Sequence, residues 1–381
     1  MVENIVPFFC FIFFFFVLSL VDTVPIRISA RQHHILYNIA CFVLICFAGC
    51  RWSSWEKGYD TDIFDYDTYQ IVYKESPALD SFISDYKEAP LEVKQMDVGY
   101  VLWNSLAHAI LGDNYNLFLL LTNAIVVTIL LAVFKRMSAK RGLFFIIFFY
   151  AARLYLQYNF TLVRQAIAIV IIWYALNYLI NGNLRKYIFS VIFASIFHFS
   201  AIICVFFPLI NKLRINVYVY FILLLAAIIF SLTGMTSEII ELILNMIFNA
   251  LGLPITNRLS IYLDLEGGAN VLNFIEAIPF FYIAISNRKQ LLSTYEGKLY
   301  YNMLFCFVLL TACFMTFSFF TRLWQYMIIC YIYLISYIFK YNQKQYLYLV
   351  NVLLLYCLLY SVRYIMMWFY HVPYSCFLFH L

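Results

Sequence analysis

The chain of 381 residues is 65% hydrophobic and 12% charged, with a mean hydropathy of +0.84. A soluble globular domain carries about 45–50% apolar and about 25% charged residues, so this composition excludes water as the main solvent. The net charge of +5 says little by itself, because in a membrane protein the placement of basic residues matters more than their sum.

The apolar residues run in stretches of roughly 18 to 25, long enough to carry a helix across about 30 Å of hydrocarbon and unlike the alternating segments of an outer-membrane barrel. The pattern predicts an all-α, polytopic transmembrane helical bundle of about 10–12 membrane segments, because closed helices satisfy their own backbone polar groups in lipid. The first run, Ile5 to Val21, carries Glu3 where a signal peptide has basic residues and lacks a small-x-small cleavage pattern, so it reads as a retained first span. Spans are expected at 4–21, 34–50, 115–134, 142–159, 163–181, 216–234, 271–287, 299–318, 323–339 and 346–366. No internal repeat or Gly-rich linker divides the chain, so 1–381 reads as a single integral-membrane domain. Ten cysteines lie scattered with no CxxC and no metal spacing, and read as small hydrophobes.

Basic residues gather at Arg27/Arg31, Lys135–Arg141, Arg185/Lys186, Lys212/Arg214, Arg288/Lys289 and Lys340/Lys344, which marks those loops as cytoplasmic. The assignment holds only if 186–210 begins and ends on one side. With a turn near Phe197, His198 and Phe199, each arm is about 12 residues or roughly 18 Å, too short to cross. The segment is therefore expected to be a re-entrant or half-depth hairpin tipped by His198. The stretch 51–100 carries 11 acidic and 5 basic residues, a net of −6, and reads as a long, acidic, partly helical outer loop leading to a short amphipathic helix at 100–112. Met235 to Leu251, with Glu238 and Glu241, reads as an interfacial helix.

Charged residues near the membrane are costly and face a cavity or a partner. Arg164 opens an apolar run beside Gln165, and Arg322 repeats the situation in Phe-Phe-Thr-Arg-Leu-Trp-Gln-Tyr, with Arg51 and Arg363 at similar depth. Each alone suits a snorkelling anchor. Together, against the positive-inside bias, they suggest an anion site, for which the planar guanidinium fork is suited to bidentate phosphate binding. His198 stands in a long apolar stretch, either as a satisfied structural residue or as a base or phosphate donor at the hairpin tip. Asp60, Asp62, Asp65 and Asp67, with Tyr59, Tyr66 and Tyr69, form an acidic and aromatic cluster. It is either a solvated loop or a set of carboxylates able to act as base beside rings that stack on sugars. Asp97 stands where the chain re-enters the membrane and suits a helix N-cap equally well. No Walker loop, GxSxG, HExxH or dinucleotide fingerprint occurs.

The order of these pieces resembles the EpsG-like polysaccharide polymerases, the group that includes many Wzy-type O-antigen and capsule polymerases. The matching elements are Arg51 with Asp65-Tyr66-Asp67-Thr68-Tyr69; Asp97-Val98-Gly99-Tyr100; Arg164-Gln165; the basic turn at Lys186 followed by His198-Phe199-Ser200; and Arg322 with Tyr326. The re-entry acid is commonly Glu in that pattern and is Asp97 here, one methylene shorter. The resemblance implies a multi-pass protein of the bacterial inner membrane with its active site facing the periplasm. It would join undecaprenyl-diphosphate-linked oligosaccharide repeat units by inverting glycosyl transfer, with no cofactor and no metal. The implied partners are that lipid-linked glycan, the lipid bilayer and a chain-length regulator protein, with no nucleic acid. Arg164, Arg322 and Arg51 would hold the donor diphosphate, with Gln165, Tyr66, Tyr69 and Tyr326 supporting the glycan. His198, Asp65 and Asp97 are the candidate catalytic bases.

Three other readings compete. An O-antigen ligase shares the donor and the arginine logic and differs in its acceptor. A lipid-linked oligosaccharide flippase or transporter would show two equivalent halves, which the sequence lacks. A membrane O-acyltransferase would need a cytoplasmic acyl donor path, against the outer arginines.

Overall fold

The computed structural model describes residues 5–24, 28–51, 66–138, 141–236, 238, 239, 242, 246, 272–315, 322–341, 347–368, 374 and 376. Asp60, Asp62, Asp65 and most of 235–270, including Glu241, lie outside the described residues. The chain is an all-α polytopic membrane protein. Among the described residues, seven helices are long and apolar enough to cross a bilayer: Val6–Thr23, Ala30–Gly49, Tyr115–Met137, Leu143–Thr161, Val163–Ile180, Arg322–Lys340 and Tyr348–Met367. The expected spans at 216–234 and 271–287 are also helices, Val217–Leu232 and Leu272–Ser286, but of 16 and 15 residues.

Contacts divide the chain into two compact units. The first comprises Met1–Tyr178, Asn183–Ile202 and Ile335–Leu381; the second comprises Leu179–Gly182 and Ile203–Leu334. In the first, α1 (Val6–Thr23) and α2 (Ala30–Gly49) carry stacked rings toward the interior, with Phe11 and Phe47 centroids 4.2 Å apart. The described part of the acidic stretch from residue 66 folds as three short helices, α3 (Tyr66–Lys74), α4 (Phe82–Glu88) and α5 (Leu91–Lys94), before α6 (Val98–Leu111). Then follow α7 (Tyr115–Met137) and α8 (Leu143–Tyr150). Asp22, at the end of α1, accepts the Phe145 N–H at 3.0 Å and so satisfies one of the orphan donors that begin α8.

Past Tyr150 the helix widens into eleven residues of π-helix, Ala151–Thr161, a rare geometry that tends to occur at functional sites. Tyr155 on this segment clasps the last turn of α2: its hydroxyl accepts the Ala48 N–H at 2.9 Å and donates to the Leu44 carbonyl. Replacing Tyr155 with phenylalanine is expected to cost about 1–3 kcal/mol, since it strips partners from a buried site. The check is the thermal unfolding midpoint in detergent; an unchanged midpoint would mean that these bonds contribute nothing net.

After the π segment come α9 (Val163–Ile180) and α10 (Leu184–Phe197). The latter is capped at its start by the Asn183 side chain and is 14 residues long, roughly 21 Å. It stops at His198, which is extended (φ −154°, ψ 112°), and a 3₁₀ helix, Phe199–Phe206, begins at the next residue. The break falls where the sequence places the hairpin tip.

In the second unit, α11 (Phe207–Ile210) leads to α12 (Val217–Leu232), α13 (Leu272–Ser286), α14 (Arg288–Leu291) and α15 (Tyr295–Cys313). Tyr220, Phe281 and Phe305 pack together, and Phe280 stacks on Tyr331 at 3.8 Å. The Asn302 amide donates to the Ile210 and Leu213 carbonyls at 2.9 and 3.2 Å, closing the C-terminal end of α11. The chain ends with α16 (Ile329–Lys340) and α17 (Leu347–Trp368), which pass back into the first unit.

Candidate active site

Asp97 is the N-cap of α6 by position, yet its carboxylate does not cap that helix. Both oxygens turn to other elements. Oδ1 accepts the Phe199 N–H at 3.1 Å, and Oδ2 accepts Arg164 Nη1 at 2.8 Å and lies 3.4 Å from His198 Nδ1. One carboxylate thus joins the start of α6, the start of α9 and the break after α10, three elements separated by up to 102 residues in sequence.

Gly99 makes this approach possible. A Cβ there would lie 2.4 Å from Ile196 Cγ2 and 2.9 Å from the Ile196 carbonyl carbon and oxygen, so α6 starts directly against the last turn of α10. The sequence element Asp-x-Gly-Tyr therefore specifies a close crossing as well as an acid. Burial alone would raise the Asp97 carboxyl, but the His198 hydrogen bond, the Arg164 charge and the Phe199 N–H together bring it below its ordinary value of 3.8. The stability it contributes is fully present above that value and is lost as pH falls through the depressed one, so the carboxylate stays ionised across the neutral range.

Arg164 is the second residue of α9, where the helix dipole disfavours a cation. Asp97 offsets that cost, and the Tyr69 side chain hydrogen-bonds the guanidinium. Arg164 Nε is buried and, among the described residues, has no hydrogen-bond partner. Gln165 beside it is 1% exposed. Tyr69 packs edge-on against Tyr100 at 5.5 Å, and Tyr66 edge-on against Tyr115 at 5.0 Å. The Tyr66 hydroxyl donates to Asn116 Oδ1 at 2.7 Å.

Arg51 lies in the same unit and is 3% exposed. Its Nη1 donates to the Asn159 and Phe160 carbonyls at the C-terminal end of the π segment, where a cation is favoured by the helix dipole. Its guanidinium carbon sits 5.1 Å from the Phe160 ring and 5.8 Å from the Tyr66 ring. Nε and Nη2 are buried and have no hydrogen-bond partner among the described residues. Arg51 therefore terminates a helix with one edge of its guanidinium. Its backbone pairs with Cys376, and the Cys50 thiol contacts both Cys46 and Cys376. Burial pushes the Cys50 thiol up to about 12, so it behaves as a small hydrophobe.

Of the residues singled out in sequence, the structure brings together Asp97, Arg164, His198 and Tyr69, and sets Arg51 against Tyr66. Arg322 and Tyr326 belong to the second unit. There Arg322 is half-buried and Tyr326 fully buried in a 3₁₀ turn, Gln325–Ile328, next to Trp324, whose indole N–H donates to Thr311. Arg363 is exposed. Asp65 lies outside the described residues.

Sequence reasoning passed over Arg153. It stands inside a span, hydrogen-bonds the Tyr360 hydroxyl at 2.9 Å and lies 4.3 Å from the centre of that ring. The criterion that drew attention to Arg164, a charge within an apolar run, applies to it equally. It also missed a polar relay in which Tyr150 donates to Asn159 and Asn159 donates to Asn123, at 2.7 and 2.6 Å. That relay borders a cavity of about 10 Å³ lined in part by Tyr158 and Val163, enough for about one water molecule and no substrate.

No curated protein and no solved structure matches the chain. The model of the EpsG family matches residues 34–376, nearly the whole chain, and within that range fall Arg51, Asp97, Arg164 and His198. The chain belongs to the EpsG family of Wzy-like polysaccharide polymerases.

Proposed function

We propose that this protein joins undecaprenyl-diphosphate-linked oligosaccharide repeat units at the periplasmic face of the inner membrane, by inverting glycosyl transfer with the lipid diphosphate as leaving group. The observation that carries the reading is a buried cluster with unfilled donors. Arg51 and Tyr115 are each 3% exposed, and Arg51 Nε and Nη2, Arg164 Nε and the Tyr115 hydroxyl have no hydrogen-bond partner among the described residues. A buried guanidinium edge left unpaired costs several kcal/mol, and a bound anion offsets that cost. Breaking the bond from anomeric carbon to phosphate develops negative charge on the leaving oxygen. Donors fixed in a low-dielectric site stabilise that charge without reorganising. Tyr66 and Tyr69, beside Arg51 and Arg164, are assigned to support of the glycan. Gln165 is assigned the same role.

The test is gel analysis of surface polysaccharide after deletion of the gene in its host, with complementation by wild type and by Arg51→Ala. A single repeat unit on the lipid core in the deletion, with a ladder restored by wild type and not by Arg51→Ala, is the expected result. A core with no repeat unit at all would point to a ligase or a flippase, and an unchanged ladder would overturn the reading.

A further inference from the structure

Three candidate bases emerge from the sequence, and the geometry distinguishes between two of them. We propose that His198 is the general base, acting through Nε2, and that Asp97 is the positioning residue that holds its ring. The inference rests on the polymerase reading above and assigns the roles within it.

Asp97 is poorly placed to take a proton. Both of its oxygens are already in use, Oδ1 by the Phe199 N–H and Oδ2 by Arg164 and His198, and protonation would break the 2.8 Å ion pair. Its depressed pKa makes it a weaker base still. His198 is placed in the opposite way. Its backbone is fixed on both sides, with its N–H donating to Ala194 at 3.0 Å and its carbonyl accepting from Ala201 at 2.9 Å. With Nδ1 directed at Asp97, the proton belongs on Nδ1 and the lone pair on Nε2. The side chain remains 18% exposed, at the tip where α10 gives way to the 3₁₀ helix.

The step balances. The acceptor hydroxyl oxygen bonds to the anomeric carbon, the bond from that carbon to the diphosphate oxygen breaks with its electron pair on the diphosphate, and the hydroxyl proton passes to Nε2. The imidazolium so formed faces the Asp97 carboxylate, which stabilises it. Among the described residues, the other charged and titratable groups around the ring are Arg164 from α9 and, beyond it, Tyr100 from α6 and Tyr69 from α3. Arg164 opposes the protonated form and Asp97 favours it.

The experiment measures initial polymerisation rates against pH for the full-length protein in liposomes, with a synthetic lipid-diphosphate-linked repeat unit as donor and acceptor. In parallel, ¹³C-histidine NMR follows the titration of the resonance, among six histidines, that His198→Gln removes. Wild type is expected to gain activity as pH rises through one ionisation. His198→Gln should lower the rate about 10²–10⁴-fold and erase that rise. Asp97→Asn removes the carboxylate that faces Nδ1, so the histidine resonance that reports the Nδ1–H tautomer should move and the rate should fall. Asp97→Glu should restore most of the resonance position and of the rate. An unchanged rate and an unmoved histidine resonance in Asp97→Asn would reduce Asp97 to a structural tie. A surviving pH rise in His198→Gln would place the base elsewhere. Wild type that makes no polymer would overturn the polymerase reading, while the NMR shift still decides whether Asp97 sets the histidine.

Discussion

Replacing Arg164 with alanine is expected to lower chain extension about 10²–10³-fold, the usual effect of removing one fixed donor from a developing oxyanion. The reason is geometric. Arg164 spends Nη1 on Asp97 and meets Tyr69, while its Nε is buried without a partner among the described residues. One edge of the guanidinium is thus tied to the protein, and the proposed diphosphate site would use the other. Alanine removes both edges. Lysine supplies a charge that can still reach Asp97 but has no planar fork, so Arg164→Lys should keep the ion pair and lose the bidentate contact. Comparing the two separates folding from chemistry. If the alanine variant is absent from the membrane and the lysine variant is abundant but equally inactive, the loss lies in phosphate recognition. A lysine variant with full activity would show that a point charge suffices, and normal chains from the alanine variant would sink the diphosphate site.

Seven of the ten expected spans were legible because their signal is large: runs of about 18 or more apolar residues admit few other structures. The break at His198 was also legible, because the basic residues on either side of 186–210 led to the expectation of a turn near Phe197 to Phe199. The start of α6 at Val98 was anticipated by an acid two residues before a glycine. What the sequence could not reveal is which distant residues meet. Asp97 suits an N-cap by every local rule, and only the tertiary crossing turns its carboxylate away from its own helix toward Arg164, 67 residues on, and Phe199, 102 residues on. The second role of Arg51 was hidden for the same reason: the carbonyls it terminates belong to a π segment that apolar periodicity does not distinguish from an ordinary helix. Arg153 was legible in principle, since a charge inside a span is a signal regardless of fold.

The second large effect is expected at a residue with no chemistry of its own. Gly99→Ala would place a Cβ 2.9 Å from the backbone carbonyl of Ile196 as well as 2.4 Å from its side chain. A side chain can rotate away, but a backbone carbonyl in the last turn of α10 cannot, so α6 and α10 must separate. Asp97 lies two residues before Gly99, and His198 and Phe199 lie two and three residues after Ile196. Any separation is therefore transmitted directly to the 3.1 and 3.4 Å contacts, which weaken steeply as they lengthen. Overpacking of this kind typically costs about 1–3 kcal/mol, less than most folds need to unfold, so the variant should still insert. Its activity should nevertheless fall by at least about tenfold to a hundredfold, because displacement of roughly 1 Å in a positioned catalytic group is enough for that. The check is polymer ladder intensity normalised to protein in the membrane, together with the ¹³C-histidine titration of His198. A Gly99→Ala protein with wild-type ladders and an unshifted histidine would show that the crossing tolerates a methyl group and that Asp97 reaches His198 by some other means than this close approach.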